Sequence, residues 1–180
     1  MKFRLKREKK VSENYLIDLL KDREISDYNA FLAPSVRLEE PFELLDHIDE
    51  AYNLVAENWK EGVLILVDCD ADGYTSAAVM WNYLKEKYPE IDMEYILHTG
   101  KQHGLEDTWK DILASDKKLI IIPDASSNDE EFHKILKEEG KVIIILDHHE
   151  AEKYSDYACV VNNQLSELYP NKSLSGVGVV

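Results

Sequence analysis

Residues 63–73 read VLILVDCDADG. An apolar run, VLILV, stops abruptly at Asp68, Asp70 and Asp72, which are spaced two apart and closed by Gly73. A continuous apolar run of strand length, with no polar alternation, predicts a strand buried on both faces. That is the signature of a parallel sheet covered by helices. The three carboxylates repel one another, so the cluster costs stability unless something positive sits among them. Capping a helix or closing a turn uses one such side chain, not three.

Outward from this stretch the same pattern recurs. LIIIP at 119–123 ends in Asp124, and VIIIL at 142–146 ends in Asp147, His148 and His149. IDMEYIL at 91–97 is a further strand. Between these runs lie helical patterns: TSAAVMWNYLKEKY, ended by Pro89, and NDEEFHKILKEEG, closed by Gly140. Upstream, PFELLDHIDEAYNLVAENWKEG has helical spacing at Leu45, Ile48, Tyr52, Val55 and Trp59 and stops at Gly62. Ser12 reads as the N-cap of a short helix, ENYLIDLLKDR, and residues 26–41, with Pro34 and Pro41, read as an extended connector. The alternation predicts an α/β fold: a three-layer αβα domain with a mainly parallel sheet. In such sheets ligands bind outside the carboxyl ends of the strands, which is where three strands deliver carboxylates and imidazoles. One aspartate after one strand is as often a turn former as a functional group. Convergence of all three favours a metal site at that edge.

Bulk properties bound the alternatives. The 180 residues suit one domain with a small appendage, here a basic arm and short helix over 1–30 and a main domain over 31–180. The formal net charge is −15, yet MKFRLKREKK at the start holds six Lys or Arg against one Glu. An acidic body disfavours broad non-specific binding to nucleic-acid phosphates, and the basic run reads first as a solvated terminus. No apolar run reaches the roughly 20 residues that span a bilayer. The cysteines, Cys69 and Cys159, form neither a CxxC pair nor a disulfide framework, so a cytoplasmic setting is expected. Cys69 lies among carboxylates that disfavour its thiolate, which argues against a nucleophile. An EF-hand reading of DCDADG fails because its twelfth position is Val79, not glutamate. Carboxylates with neutral imidazole suit Mn²⁺, Fe²⁺ or Zn²⁺, and the carboxylate excess allows Mg²⁺. So many acidic groups suggest two ions, an arrangement that clamps a phosphoryl group.

DCDADGYTSA before a helix, together with ILDHHE after a later strand, resembles the DHH phosphoesterase superfamily, and within it the RecJ-like single-strand exonucleases. FLAPSVRLEEPFELLDHIDEA, LIIIPDASSND, VVNNQ and YPNKSLSGVGVV resemble further segments of that branch, so the likeness covers roughly residues 30–180. It implies Asp68, Asp70, Asp72, Asp124 and His148 as metal ligands, with Asp124 bridging two ions and Asp147 orienting the His148 ring. Asp72, Asp124, His148 and His149 would be the catalytic set. His149 would face the scissile phosphate, and Ser175, Gly176 and Gly178 would approach the substrate backbone. Where the family carries an arginine and a Gly-Tyr-Gly, this chain has HTGKQHGLED; there Lys101 and His103, with His98, are the candidate phosphate contacts. The implied reaction is metal-dependent phosphodiester hydrolysis, in this branch 5′–3′ on single-stranded DNA, usually with Mn²⁺. Single-stranded DNA or a short oligonucleotide would be the partner, beside replication or repair proteins.

Three departures from the family pattern stand out. The sequence stops at Val180, the last residue of SGVGVV, so a further metal-binding aspartate and a second, nucleic-acid-gripping domain are expected to be missing. Only Gly104 matches in the HTGKQHGLED stretch, and Ala125-Ser126-Ser127 replaces the Gly or His usual after the second-motif aspartate. A DHH phosphodiesterase acting on short oligonucleotides or cyclic dinucleotides and a related pyrophosphatase are disfavoured by Leu66, where those branches carry histidine. A non-catalytic scaffold module remains the alternative from another class.

Overall fold

The computed structural model describes residues 14–35, 39–98 and 104–180. Two compact units divide the chain, Met1–Glu39 and Glu40–Val180. In the first, α1 (Tyr15–Asp22) follows Asn14, and α2 (Tyr28–Leu32) is capped by Asp27, whose side chain accepts from Ala30 N at 3.0 Å. The expected cap at Ser12 lies outside the described residues. The connector expected over 26–41 therefore contains a helix. Five residues are too few to display a helical period, and the Asp27 cap is the only local signal.

The second unit runs α3 (Ile48–Asn58), β1 (Val63–Val67), α4 (Ala71–Lys87), β2 (Met93–Leu97), α5 (Trp109–Ala114), β3 (Leu119–Pro123), α6 (Glu130–Glu138), β4 (Val142–Asp147), β5 (Cys159–Asn162) and α7 (Gly176–Val179). All five strands are parallel, in the order β2-β1-β3-β4-β5. The chain leaves β1 for one side of it and then returns to the other, so the order reverses between β1 and β3. A crevice opens at the carboxyl ends of the strands at such a reversal. The expected three-layer αβα architecture is the one found.

Side-chain alternation explains the layers. Val63, Ile65, Val67, Ile121, Ile144 and Val161 face a core closed by α3, α4 and α7. Their neighbours Leu64, Leu66, Ile120, Ile122, Ile145 and Val160 face a second core with Ile112 of α5 and Leu136 of α6. Burial on both sides is why β1 and β3 read as unbroken apolar runs.

Several boundaries differ from the sequence expectation. The helix expected from Pro41 is split into a 3-10 turn at Phe42–Leu44, α3, and a second 3-10 turn at Trp59–Glu61. The break is His47, at φ 65, whose ring lies 4.4 Å from that of Tyr154 while Asp46 N donates to Ser166 Oγ at 2.9 Å. Long-range contacts thus override the local period. Helix α4 starts four residues before Thr75, because Asp70 caps it and draws Asp72 and Gly73 into the first turn. Helices α5 and α7 and strand β5 were not expected.

Helix α6 carries a buried histidine. His133 is fully buried, and burial drives its pKa down to about 4. The unfolded chain takes that proton near pH 6.5, the folded chain only near 4. Stability should therefore fall as pH drops through this window, by about 3 kcal/mol in total. His133→Gln should flatten that part of the urea-denaturation profile; an unchanged slope would exclude His133 as its source.

Candidate metal centre

Three adjacent strands, β1, β3 and β4, end in Asp68, Asp124 and Asp147, and each of these side chains is 1% exposed. Gly73 lets α4 start against β1: a Cβ there would stand 2.5 Å from Asp68 Cβ and 2.8 Å from its carbonyl oxygen. Asp70 Oδ1 accepts from Asp72 N at 2.9 Å and Gly73 N at 3.0 Å. Both oxygens of Asp72 accept from α7, from Gly176 N at 2.7 Å and Val177 N at 3.0 Å. The last helix is thereby tied to the first acidic turn.

Asp124 sits at φ 68 and Ser126 at φ 78, left-handed backbone that costs a residue with a Cβ about 1–2 kcal/mol. The Ser126 hydroxyl is also buried and finds no hydrogen-bond partner among the described residues. Ser126→Gly should raise stability by about 1 kcal/mol in thermal or urea unfolding, after the entropy cost of glycine. A destabilised variant would mean that the serine stabilises this turn.

The imidazoles are held differently from expectation. His148 Nδ1 lies 2.8 Å from the Leu174 carbonyl oxygen, an acceptor only, so Nδ1 carries the hydrogen and donates. Nε2 then faces Asp124 Oδ1 at 3.1 Å and Asp72 Oδ2 at 3.8 Å. A neutral nitrogen lone pair opposite two carboxylates is repulsive, so a proton or a metal cation must lie between them. Asp147 orients the other ring: its Oδ1 meets His149 Nδ1 at 2.8 Å and accepts from the backbone N of His148 and of His149. The expectation that Asp147 orients His148 is thus corrected, since its carboxylate sits beneath the turn, on the His149 side.

Charge states follow from these contacts. Burial, then the neighbouring Asp72 carboxylate, pushes Asp124 up to about 7 against the pull of His148. Burial alone would raise Asp147, but hydrogen bonds from His149 and Ser127 outweigh it and leave the group at about 2. Its hydrogen bond to Asp147 lifts His149 to about 9, an imidazolium at neutral pH. This pair stabilises the fold below the ordinary histidine range, and the contribution is lost as pH rises through about 9. Burial and adjoining Asp68 push the Cys69 thiol up, in keeping with an inert cysteine.

Two groups of three among the described residues bring ligand atoms within 4.8 Å of one another: Asp124, His148, His149, and Asp68, Asp70, Asp124. Asp124 belongs to both; its buried Oδ2 accepts no hydrogen bond among the described residues, and Oδ1 meets only His148 Nε2, at 3.1 Å. Asp68, Asp70, Asp124 and His148, with the under-satisfied buried acid Asp124 at their centre, are a donor set that fits a hard or borderline divalent cation, whereas His149 ligates only once it has lost its proton. Asp72 stands in neither group. Gly176 packs on Asp124, Gly178 faces Leu174, and Ser175 precedes α7. Lys101 and His103 lie outside the described residues; His98 is buried, with Nε2 2.6 Å from the Gly104 carbonyl oxygen. Sequence reasoning missed Ser127, Asn162, Gln164 and the Leu174 carbonyl. The Asn-rich VVNNQ was the one visible signal, and a carbonyl leaves none.

Fold and site together define a doubly wound α/β domain with a carboxylate–imidazole cluster at its switch point. The chain belongs to the DHH family, whose N-terminal domain it matches over residues 62–180. It is 38% identical, over 181 residues and 99% of its length, to YorK of the SPbeta prophage in Bacillus subtilis (strain 168), named provisionally as a single-strand DNA-specific exonuclease. It is 34% identical over 145 residues to the single-stranded-DNA-specific exonuclease RecJ of the same organism, covering 78% of the chain. The chain spans only 31% of YorK and 18% of that RecJ. Manganese-bound exonuclease RecJ shares the fold, with a TM-score of 0.67 at 23% identity over 78% of this chain and 37% of that one. RecJ from Thermus thermophilus in complex with Mn²⁺ gives a TM-score of 0.67 at 23% identity, over 89% of this chain and 22% of that one. No helix among the described residues is long and apolar enough to cross a membrane.

Proposed function

We propose that this chain forms the metal-binding core of a DHH-family phosphodiesterase that degrades single-stranded DNA from its 5′ end with Mn²⁺. The observation that carries the reading is Asp124, buried, short of hydrogen bonds and shared by two ligand groups. Relatives named as single-strand DNA exonucleases support the substrate, and the manganese in the two RecJ structures supports the metal. Free cysteines and the absence of a long apolar helix among the described residues are compatible with a cytoplasmic enzyme.

Asp68, Asp70, Asp124 and His148 would hold the cation, with Asp72 beside them anchoring α7. When bound, a divalent cation supplies electrophilic activation of a phosphoryl oxygen and of water. The protein's own part is positioning and charge. The Leu174 carbonyl fixes the His148 tautomer, so that Nε2 is aimed at the cluster. Asp147 keeps His149 protonated and turned toward the same edge, where it offers a cation to an anionic phosphate. Leu66, 1% exposed in the α5/α6 core, has no access to the centre, which weighs against the histidine-bearing branches of the family.

The test compares 5′-labelled single-stranded DNA, short RNA, a cyclic dinucleotide and pyrophosphate as substrates of the full-length gene product with Mn²⁺. Mononucleotide release from the DNA is expected. Preference for pyrophosphate, or no rise of melting temperature with millimolar Mn²⁺, would sink the reading.

A further inference from the structure

The end of β5 gathers the walls of the centre. Asn162 is fully buried and lies beside Asp147 in strand register. Its Nδ2 donates to Ser127 Oγ at 2.8 Å and to the His149 carbonyl oxygen at 3.0 Å, and its Oδ1 accepts from Gln164 N at 2.7 Å. Both amide hydrogens meet acceptors, which fixes the side-chain orientation. Gln164 Nε2 donates in turn to the carbonyl oxygens of His148, at 3.1 Å, and Lys172, at 2.7 Å.

These bonds link three segments. The loop after β3 carries Asp124 and, through Ser127 N, reaches Asp147 Oδ2 at 3.1 Å. The turn after β4 carries both imidazoles. The segment entering α7 carries the Leu174 carbonyl that holds His148 and the amides that hold Asp72. Asn162 fastens the first segment to the second, and Gln164 fastens the second to the third. The β3 loop holds two non-glycine residues in left-handed backbone, so it does not keep this shape by local preference.

We propose that Asn162 and Gln164 are positioning residues that set the cation affinity of the centre without supplying a ligand. This rests on the metal reading above. A network that only supported the fold would affect melting and leave affinity alone, so affinity is the discriminating readout.

Asn162→Leu and Gln164→Met keep volume, add no charge and remove the donors. Mn²⁺ binding to the metal-free chain, measured by calorimetry well below the melting temperature and by electron paramagnetic resonance, should weaken about 10–100-fold in each variant. Affinity within twofold of wild type in a folded variant would overturn the inference while leaving the metal reading intact. Failure of the wild-type chain itself to bind Mn²⁺ would overturn both. Should Asn162→Leu not fold, Gln164→Met, on a partly exposed side chain, decides alone.

Discussion

Asp124→Asn should abolish Mn²⁺-dependent hydrolysis and, in metal-free protein at pH 8, make the fold more stable. The loss follows from removing the acid common to both ligand groups. Electrophilic activation is worth several kcal/mol, so activity should drop by at least about 10³-fold. The gain follows from the carboxylate's cost without a cation. Burial and Asp72 raise its pKa to about 7, so the folded state prefers it protonated. Between about pH 4 and 7 the folded chain therefore binds more protons than the unfolded chain, and stability falls as pH rises. Above that window the ionised group costs about 4 kcal/mol. A buried asparagine amide recovers part of this, for a net gain of about 2 kcal/mol at pH 8 that shrinks toward zero by pH 4. Urea denaturation in chelator at both pH values measures it. A variant destabilised at pH 8, or one retaining Mn²⁺-dependent turnover, would show that Asp124 is an ordinary structural acid.

Gly176→Ala should disable the centre from the opposite side. A Cβ at 176 would stand 2.0 Å from Asp124 Oδ1 and 2.4 Å from its Cγ, far inside contact distance. Its φ is not in the left-handed region, so the conflict is steric alone. Either Asp124 turns away, or α7 lifts and takes its two amides from Asp72. Overpacking of this kind costs about 1–3 kcal/mol, and displacement of a ligand by an ångström costs about 10²-fold in rate. Gly178→Ala is the control: its Cβ would meet Leu174 Cδ2 at 3.2 Å, the end of a side chain that can move. Melting temperature and Mn²⁺ affinity should fall in the first variant and stay near wild type in the second. Equal behaviour of the two would refute the proposed packing of Gly176 on Asp124.

The strands that build the centre were legible because their chemistry is extreme. Runs such as VLILV and LIIIP cannot be solvated, and an acid straight after each marks the same end of the sheet. Strand β5 was hidden because CVVN is only four residues long, and much of its role falls on Asn162. Helix α7 was hidden because two of its four residues are glycine, a poor helix former chosen here for closeness to Asp124. The division of labour between His148 and His149 could not be read from a doublet. It depends on which ring meets the Leu174 carbonyl and which meets Asp147.

Asp124's membership of both ligand groups has a consequence for metal supply. With two cations, the sites are not independent. The first cation would neutralise the carboxylate that the second would also need and would add a like charge beside it, so filling would be anticooperative, a tight step before a weaker one. The half-filled protein would then be a distinct species over a broad range of free metal. Each cation that binds only the folded chain would add to its stability, while a two-cation reaction would wait for the second step. Turnover would then keep rising with free cation after the first site is full.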